Sequence, residues 1–174
     1  LAAEYVIKNG FKRIAILFNE REYGRSLAGE FARALKDSKS SMAAVVFYNM
    51  IQEDKNDYGT LLAELSLVKP DIVFQAGEYN DAGNILKDFP KYGLEKTQFI
   101  GGDGIYHTDF IKIGGINTEG SLVISAPPIK DKSFIERYRK HFNDDSTGYS
   151  ANAYDATNIL IEAIKKVKEK DGVK

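Results

Sequence analysis

The chain has no cysteine among its 174 residues. This absence excludes disulfide bonds, thiolate catalysis and cysteine-ligated metal sites, and it leaves the cellular compartment open. An excess of one charge is also lacking, because 24 Lys and Arg residues stand against 25 Asp and Glu residues, for a net charge of −1. Nucleic-acid binding needs a basic surface, so we expect no nucleic-acid partner.

Long hydrophobic runs are absent as well. The longest apolar stretches have the length of a β-strand, which is too short to cross a bilayer. The chain begins at Leu1, without an initiator methionine or a secretory leader. This start is typical of a processed or excised segment.

The sequence motifs of common enzyme classes are missing. No Gly-x-Gly-x-x-Gly opens a helix after a strand, and neither a P-loop nor a Gly-x-Ser-x-Gly elbow occurs. A phosphoacceptor receiver domain needs an Asp at the end of its third strand, where this chain reads Gln75-Ala76-Gly77-Glu78. His107 and His141 have no neighbours at metal-ligand spacing. We therefore predict no enzymatic activity, no catalytic residues, no cofactor and no metal site.

What is present is an alternation of short apolar runs with segments of helical periodicity, which is typical of repeated βα units. The runs predict five strands, at residues 13–18, 43–48, 71–75, 98–101 and 121–125. Asp57 and Asn80 are the predicted N-caps of the helices that precede and follow the third strand. Residues 1–126 are therefore predicted to form an α/β lobe with a doubly wound parallel five-stranded sheet, Rossmann-like or flavodoxin-like.

The βα alternation ends at Pro127-Pro128, where paired prolines favour an extended segment. Beyond them, the apolar spacing predicts two C-terminal helices, at residues 132–142 and about 149–167. We interpret residues 127–174 as a crossover followed by these two helices.

Three polar loops follow predicted strands and should meet at the carboxyl edge of the sheet, where open α/β folds bind ligands. The first contains Tyr23, the second contains Glu78 and Tyr79, and the third contains Asp103 between Gly102 and Gly104.

Several segments occur in the order seen in one protein family. They are Glu22-Tyr23-Gly24, Asp71-Ile72-Val73-Phe74 with Gly77, Phe99-Ile100-Gly101-Gly102-Asp103-Gly104, Glu119-Gly120-Ser121-Leu122-Val123 and Gly148-Tyr149-Ser150-Ala151-Asn152-Ala153-Tyr154-Asp155-Ala156. In this order they resemble type I periplasmic binding proteins of the branched-chain amino-acid class, which deliver substrates to ABC transporters. The resemblance covers nearly the whole chain but about half of the usual mature protein, starting where the family's second lobe starts.

The resemblance implies a function without chemistry. The chain would be a fragment of an extracytoplasmic solute-binding protein. That protein would be either periplasmic or an extracellular lipoprotein anchored to the membrane. Its implied partners are an amino acid, a membrane permease and the missing lobe of the same protein. Residues 127–174 would belong to that missing lobe. Alternatively, the apolar face of the last helix would pack against a second copy of the chain in a domain-swapped dimer. A ligand-sensing regulatory domain of the same fold is the alternative function.

The resemblance also implies three ligand contacts. Tyr23 would line the cleft, Glu78 or Tyr79 would supply a second contact, and Asp103 would bind the ligand's ammonium group. Each residue also has a structural interpretation. Asp103 is a common turn former between glycines, Glu78 suits a helix N-terminus, and Tyr23 suits packing over a helix end.

Overall fold

Five parallel strands form one sheet in the order β2-β1-β3-β4-β5, which is the flavodoxin-like order of a doubly wound fold. The computed structural model describes residues 1–38, 43–53, 55, 57–127 and 129–171, with side chains in the last helix as far as residue 167. The strands are β1 (Arg13–Asn19), β2 (Ala44–Ile51), β3 (Ile72–Ala76), β4 (Gln98–Gly101) and β5 (Leu122–Val123). The predicted fold class is confirmed.

The two central strands explain why their sequences are apolar without alternation. All five residues of β3 are buried, as are Ile14 to Leu17 of β1, because helices cover both faces of the sheet. The β1–β3 register runs from Ile14 opposite Ile72 to Phe18 opposite Ala76. Their carboxyl ends therefore lie side by side, and the loops that follow them start at the same edge.

Helices pack on both faces and produce two apolar cores. The helices are α1 (Ala2–Lys8), α2 (Glu22–Asp37), α3 (Gly59–Val68), α4 (Tyr79–Asp88), α5 (Thr108–Gly114), α6 (Lys132–Phe142) and α7 (Ser150–Asp171). One core joins Leu17 and Val73 to Leu65 of α3, and the other joins Ile16 and Phe74 to Phe31 of α2. Alternate strand residues point to opposite faces, so neighbouring residues of one strand supply different cores.

Two predicted helix caps are wrong by one or two positions. Tyr58, not Asp57, is the N-cap of α3, although Asp57 Oδ1 accepts from the backbone N–H of Gly59, the first helical residue, at 2.7 Å. The hydroxyl of Tyr58 donates to Asp81 Oδ1 at 2.6 Å. Glu78, not Asn80, is the N-cap of α4. Its backbone is extended, at φ −94° and ψ 161°, whereas Asn80 already lies in the first helical turn.

Strand lengths also differ from the sequence-based expectation. β2 continues to Ile51, beyond the predicted end at residue 48, because it pairs with β1 as far as Asn19. β5 covers only Leu122–Val123, since its pairing with β4 is limited to Ile100 and Gly101. Helix α5 was not predicted from the sequence; its N-cap, His107, accepts a hydrogen bond at Nδ1 from the Asp109 backbone N–H at 3.1 Å.

The chain divides into two compact units, Leu1–Ile124 and Ser125–Lys174. The second unit contains α6 and α7, and the predicted span of α6 is confirmed. Within it, Asp131 Oδ1 caps α6 by accepting from the backbone N–H of Ser133 at 2.9 Å and of Phe134 at 3.1 Å. The Phe134 ring meets Tyr154 of α7 edge-on, with ring centroids 5.6 Å apart.

The last helix leaves many large apolar side chains exposed. Between about two fifths and two thirds of the surface of each is accessible, and they are Tyr149 at its start and Tyr154, Ile159, Leu160, Ile161, Ile164 and Val167 within it. Across the part of the chain with described coordinates, no helix combines the length and apolarity needed to cross a bilayer.

Candidate ligand-binding site

The carboxyl edge of the sheet brings together three of the four predicted ligand contacts. Tyr23 lies in the first turn of α2 after β1, Glu78 starts α4 after β3, and Asp103 starts a short 3-10 turn after β4. In the strand order found here, the chain changes direction across the sheet between β1 and β3. Ligands of open α/β sheets bind at such a switch point, so these three side chains occupy the expected position.

A hydrogen-bonded pair joins the first and third loops. The Tyr23 hydroxyl donates to Asp103 Oδ1 at 2.5 Å and accepts from the backbone N–H of Gly104 at 3.3 Å. Burial, followed by the hydrogen bond to Asp103, raises the pKa of Tyr23 far above its usual range. Tyr23 therefore stays protonated as a donor, and it holds one carboxylate oxygen of Asp103 in a defined direction.

Glycines allow the second and third loops to approach each other closely. A Cβ atom on Gly104 would collide with the backbone carbonyl oxygen of Gly77, and it would lie 3.3 Å from Glu78 Oε2. A Cβ on Gly102 would lie 2.5 Å from the Tyr23 hydroxyl oxygen. The glycines that flank Asp103 thus bring its loop against both Glu78 and Tyr23, which is a role of glycine beyond turn formation.

Glu78 has unusual electrostatic surroundings. It is partly buried, and its carboxylate has no hydrogen bond or ion pair within the described part of the chain. Burial raises the pKa of Glu78 most, the neighbouring Glu53, Asp103 and Asp81 raise it further, and Arg21 lowers it. The carboxylate is therefore held where its negative charge is disfavoured, which is common at functional sites.

Tyr79 takes a different position from Glu78. Its ring stacks on His107, with centroids 4.1 Å apart and planes inclined by 17°, and it packs against one of the two apolar cores. Both alternatives after β3 therefore contact the connection between β4 and α5, Glu78 beside Gly104 and Tyr79 at His107. The ligand contacts of all four residues remain predictions.

Two buried amide side chains beneath the loops were not predicted from the sequence. Asn19 and Gln75 are fully buried, and none of their side-chain nitrogen and oxygen atoms has a hydrogen-bond partner in the described residues. A Cβ on Gly77 would lie 2.8 Å from Gln75 Nε2 and 3.6 Å from Asn19 Nδ2. Both amides end or nearly end an apolar strand, and a polar residue at that position is the signal that identifies them.

The family model described as periplasmic binding protein matches residues 1–174 of this chain. The chain belongs to this family. Among curated relatives, it is 37% identical over 166 residues to the Leu/Ile/Val-binding protein of Citrobacter freundii, covering 91% of this chain and 44% of the relative. It is 31% identical over 172 residues to the leucine-specific-binding protein of Salmonella typhimurium, covering 95% of this chain and 45% of that protein. The chain thus spans less than half the length of these family members.

Solved structures of the family share the fold. A leucine-binding protein of Thermotoga maritima matches with a TM-score of 0.77 at 23% identity, covering 95% of this chain and 48% of that one. A branched-chain amino-acid transporter substrate-binding protein of Streptococcus pneumoniae, in complex with isoleucine, matches with a TM-score of 0.71 at 21% identity, covering 93% and 47%. The named relatives are binding proteins rather than enzymes.

Polar groups that can contact a charged ligand converge at this edge of the lobe. Carboxylates and a tyrosine hydroxyl converge there, and no group of three or more potential metal ligands occurs in the ranges that the structure describes. The Asp103 carboxyl group accepts a hydrogen bond from Tyr23 at the switch point. A carboxylate in such a position can bind an ammonium group through charge-assisted hydrogen bonds.

Proposed function

We propose that this chain is a ligand-binding lobe of an extracytoplasmic solute-binding protein, which captures a small amino acid, branched-chain or related, for uptake by an ABC transporter. The observation that carries the proposal is the Tyr23–Asp103 pair at the switch point of a family lobe. Asp103 binds the ligand's α-ammonium group, and Tyr23 orients the carboxylate. The named relatives bind leucine, isoleucine and valine, which supports an aliphatic ligand.

Capture in the periplasm or outside the cell requires binding and release without a chemical step. The ligand's carboxylate needs donors from a second lobe, and a membrane permease receives the loaded protein. Because one lobe supplies only part of the contacts, the chain alone binds its ligand weakly. Residues 127–174 pack against the second lobe in this proposal, and the exposed apolar side chains of α7 support that role. A sensor of the same fold would bind the ligand in the same way and differ only in what it is fused to.

The test uses backbone amide signals of the isotope-labelled chain in proton–nitrogen correlation spectra, which detect weak binding. The probes are L-leucine, isoamylamine, which lacks the carboxylate, and 4-methylpentanoate, which lacks the ammonium group. We expect leucine and isoamylamine to shift the Gly104 amide signal, and 4-methylpentanoate to leave it unchanged. A shift with the carboxylate-only probe and none with the amine would contradict the proposal.

Asp103→Asn is the decisive variant, because it removes the charge and keeps the size of the side chain. We expect the shifts with leucine and isoamylamine to be lost. Asp37→Asn is the matched control, since Asp37 is exposed at the far end of α2. It should bind both probes as the unmodified chain does. Equal binding by Asp103→Asn and the control would show that Asp103 does not bind the ligand and only forms a turn.

A further inference from the structure

The two outer edges of the sheet are built differently. β5 is only two residues long, and natural sheets often shorten an edge strand in this way because an exposed edge can pair with another chain. β2, at the other edge, has eight residues and pairs with β1 alone among the described strands. Its outer backbone N–H and C=O groups therefore remain available to a further strand.

The sequence of β2 lacks the residues that usually prevent such pairing. It reads Ala-Val-Val-Phe-Tyr-Asn-Met-Ile, without a charged residue or a proline, which are the common protective residues of edge strands. Three of its large side chains are also exposed, Val45 by 40%, Tyr48 by 48% and Met50 by 41%. The backbone edge and the side chains beside it are thus both open to a partner.

These three exposed side chains lie on one face of the sheet. The register pairs each of them with an alternate residue of β1: Val45 with Ile14, Tyr48 with Ile16 and Met50 with Phe18. The register shifts after Ile14, so that Val46 is an extra residue of the kind found in a β-bulge. Alternate residues of a strand share a face, and this is the face on which α2 packs. We call Val45, Tyr48 and Met50 the edge patch.

A second copy of the chain matches this edge. About a two-fold axis perpendicular to the sheet, two β2 strands run antiparallel, their backbone groups pair, and both edge patches stay on the same face. An axis at Tyr48 brings the two Tyr48 side chains opposite each other and each Val45 opposite a Met50, with Val46 of each copy as the extra residue. Aromatic and aliphatic cross-strand pairs of this kind stabilise a sheet.

The charges that flank β2 in the sequence favour the antiparallel arrangement. Residues 36–39, before the strand, contain two lysines and one aspartate, whereas residues 53–57, after it, contain three acidic residues and one lysine. An antiparallel pair brings the basic end of one strand to the acidic end of the other. A parallel pair would bring like charges together, and complementary charge selects the orientation of an interface.

We propose that the outer edge of β2 is a self-association surface, through which two copies of this chain join their sheets in an antiparallel contact about a two-fold axis at Tyr48. The backbone edge, the edge patch and the flanking charges all match themselves under this one symmetry operation. The dimer is weak and reversible, because pairing of a single strand buries less than a standard interface of about 1,600 Å². The contact involves neither the ligand site nor α7, so its failure would leave the proposed function unchanged.

Two competing explanations make different predictions. A β-bulge increases the local twist of a strand and can turn an edge away from partners, in which case β2 does not associate at all. The exposed apolar side chains of α7 offer another surface for self-association, in which case contacts between copies involve α7 and not β2. A test must therefore locate the contact as well as detect it.

Site-specific crosslinking locates the contact, because a chain without cysteine forms a disulfide only through an introduced thiol. Cβ atoms of opposite residues in an antiparallel pair lie about 4.5–5.5 Å apart, close to the separation that a disulfide needs. We expect mild oxidation to convert Tyr48→Cys to a covalent dimer several times faster than Leu67→Cys, on α3, or Ile159→Cys, on α7, although both of these sites are more exposed. Equal rates for the three variants, or a faster rate for Ile159→Cys, would overturn the inference.

Sedimentation velocity tests association of the unmodified chain. We expect its sedimentation coefficient to rise with protein concentration, and we expect Tyr48→Lys to abolish the rise because two ammonium groups would meet at the axis. Val45→Lys is a second variant of the same patch, and circular dichroism verifies that each variant is folded. Ile159→Lys, on α7, should retain the rise. A coefficient independent of concentration, or a rise that survives in both edge-patch variants, would overturn the inference.

Discussion

Replacing Tyr23 by Phe removes one hydroxyl group and retains the ring. That hydroxyl donates to Asp103 Oδ1 at 2.5 Å and accepts from the Gly104 N–H at 3.3 Å, so its loss breaks two links between the loops after β1 and β4. A hydrogen bond to a charged acceptor contributes about 1.5–3 kcal/mol. Because the site is only half buried, we expect the low end, a loss of about 1.5 kcal/mol in the free energy of unfolding.

The assay is urea unfolding followed by far-ultraviolet circular dichroism, supported by thermal unfolding, in which the expected loss corresponds to a decrease of about 3–6 °C in Tm. Tyr48→Phe is the control. Tyr48 lies on the edge strand β2, it is half exposed, and its hydroxyl has no partner in the described coordinates, although its ring contacts Phe18. A difference of less than about 0.5 kcal/mol between the two variants would show that the Tyr23–Asp103 hydrogen bond does not stabilise the lobe.

Two further predictions concern stability. Because the pKa of Glu78 is higher in the folded state, the folded state binds more protons than the unfolded state near that pKa, and stability falls as the pH rises through it. Glu78→Gln should therefore raise Tm at pH 7, and the gain should vanish below about pH 4; a lower Tm at pH 7 would show that Glu78 stabilises the N-terminus of α4. Leu65→Ala, at a fully buried position of α3, should cost about 2–5 kcal/mol in urea unfolding. Leu67→Ala, at a position 81% exposed, should cost little, and equal losses would contradict the assignment of the core face.

Local patterns identified most of the fold. Continuous apolar runs predicted β1 and β3 because a strand covered on both faces needs no polar residues, and the structure buries these runs. The predicted span of α6 is confirmed because Asp131 has a cap position and an apolar stripe follows it. The predicted caps Asp57 and Asn80 lie one or two positions from the N-caps in the structure, Tyr58 and Glu78. Tyr58 is hydrogen-bonded to Asp81, 23 residues further along the chain, and no local pattern shows such a contact.

The candidate site was harder to derive than the fold. The sequence placed Tyr23, Glu78, Tyr79 and Asp103 in loops at one edge, but it left Glu78 and Tyr79 as alternatives. The structure shows what each of them contacts, because the Tyr79 ring stacks on His107 and the lack of a side chain on Gly104 lets Glu78 approach the Asp103 loop. Neither contact has a local signature, because each joins residues from different βα units.

By itself, the sequence determined the class of the fold, the order of its strands, the absence of cysteine chemistry and the polar loops that follow β1, β3 and β4. These properties follow from composition and from periodicity over a few residues, which are local. Only the tertiary structure decided that Tyr23 and Asp103 form a hydrogen-bonded pair and that Glu78 remains without a partner among the described residues. Those outcomes depend on strand order and on distances between loops far apart in the chain, because charge and hydrogen bonding act through space rather than along the sequence.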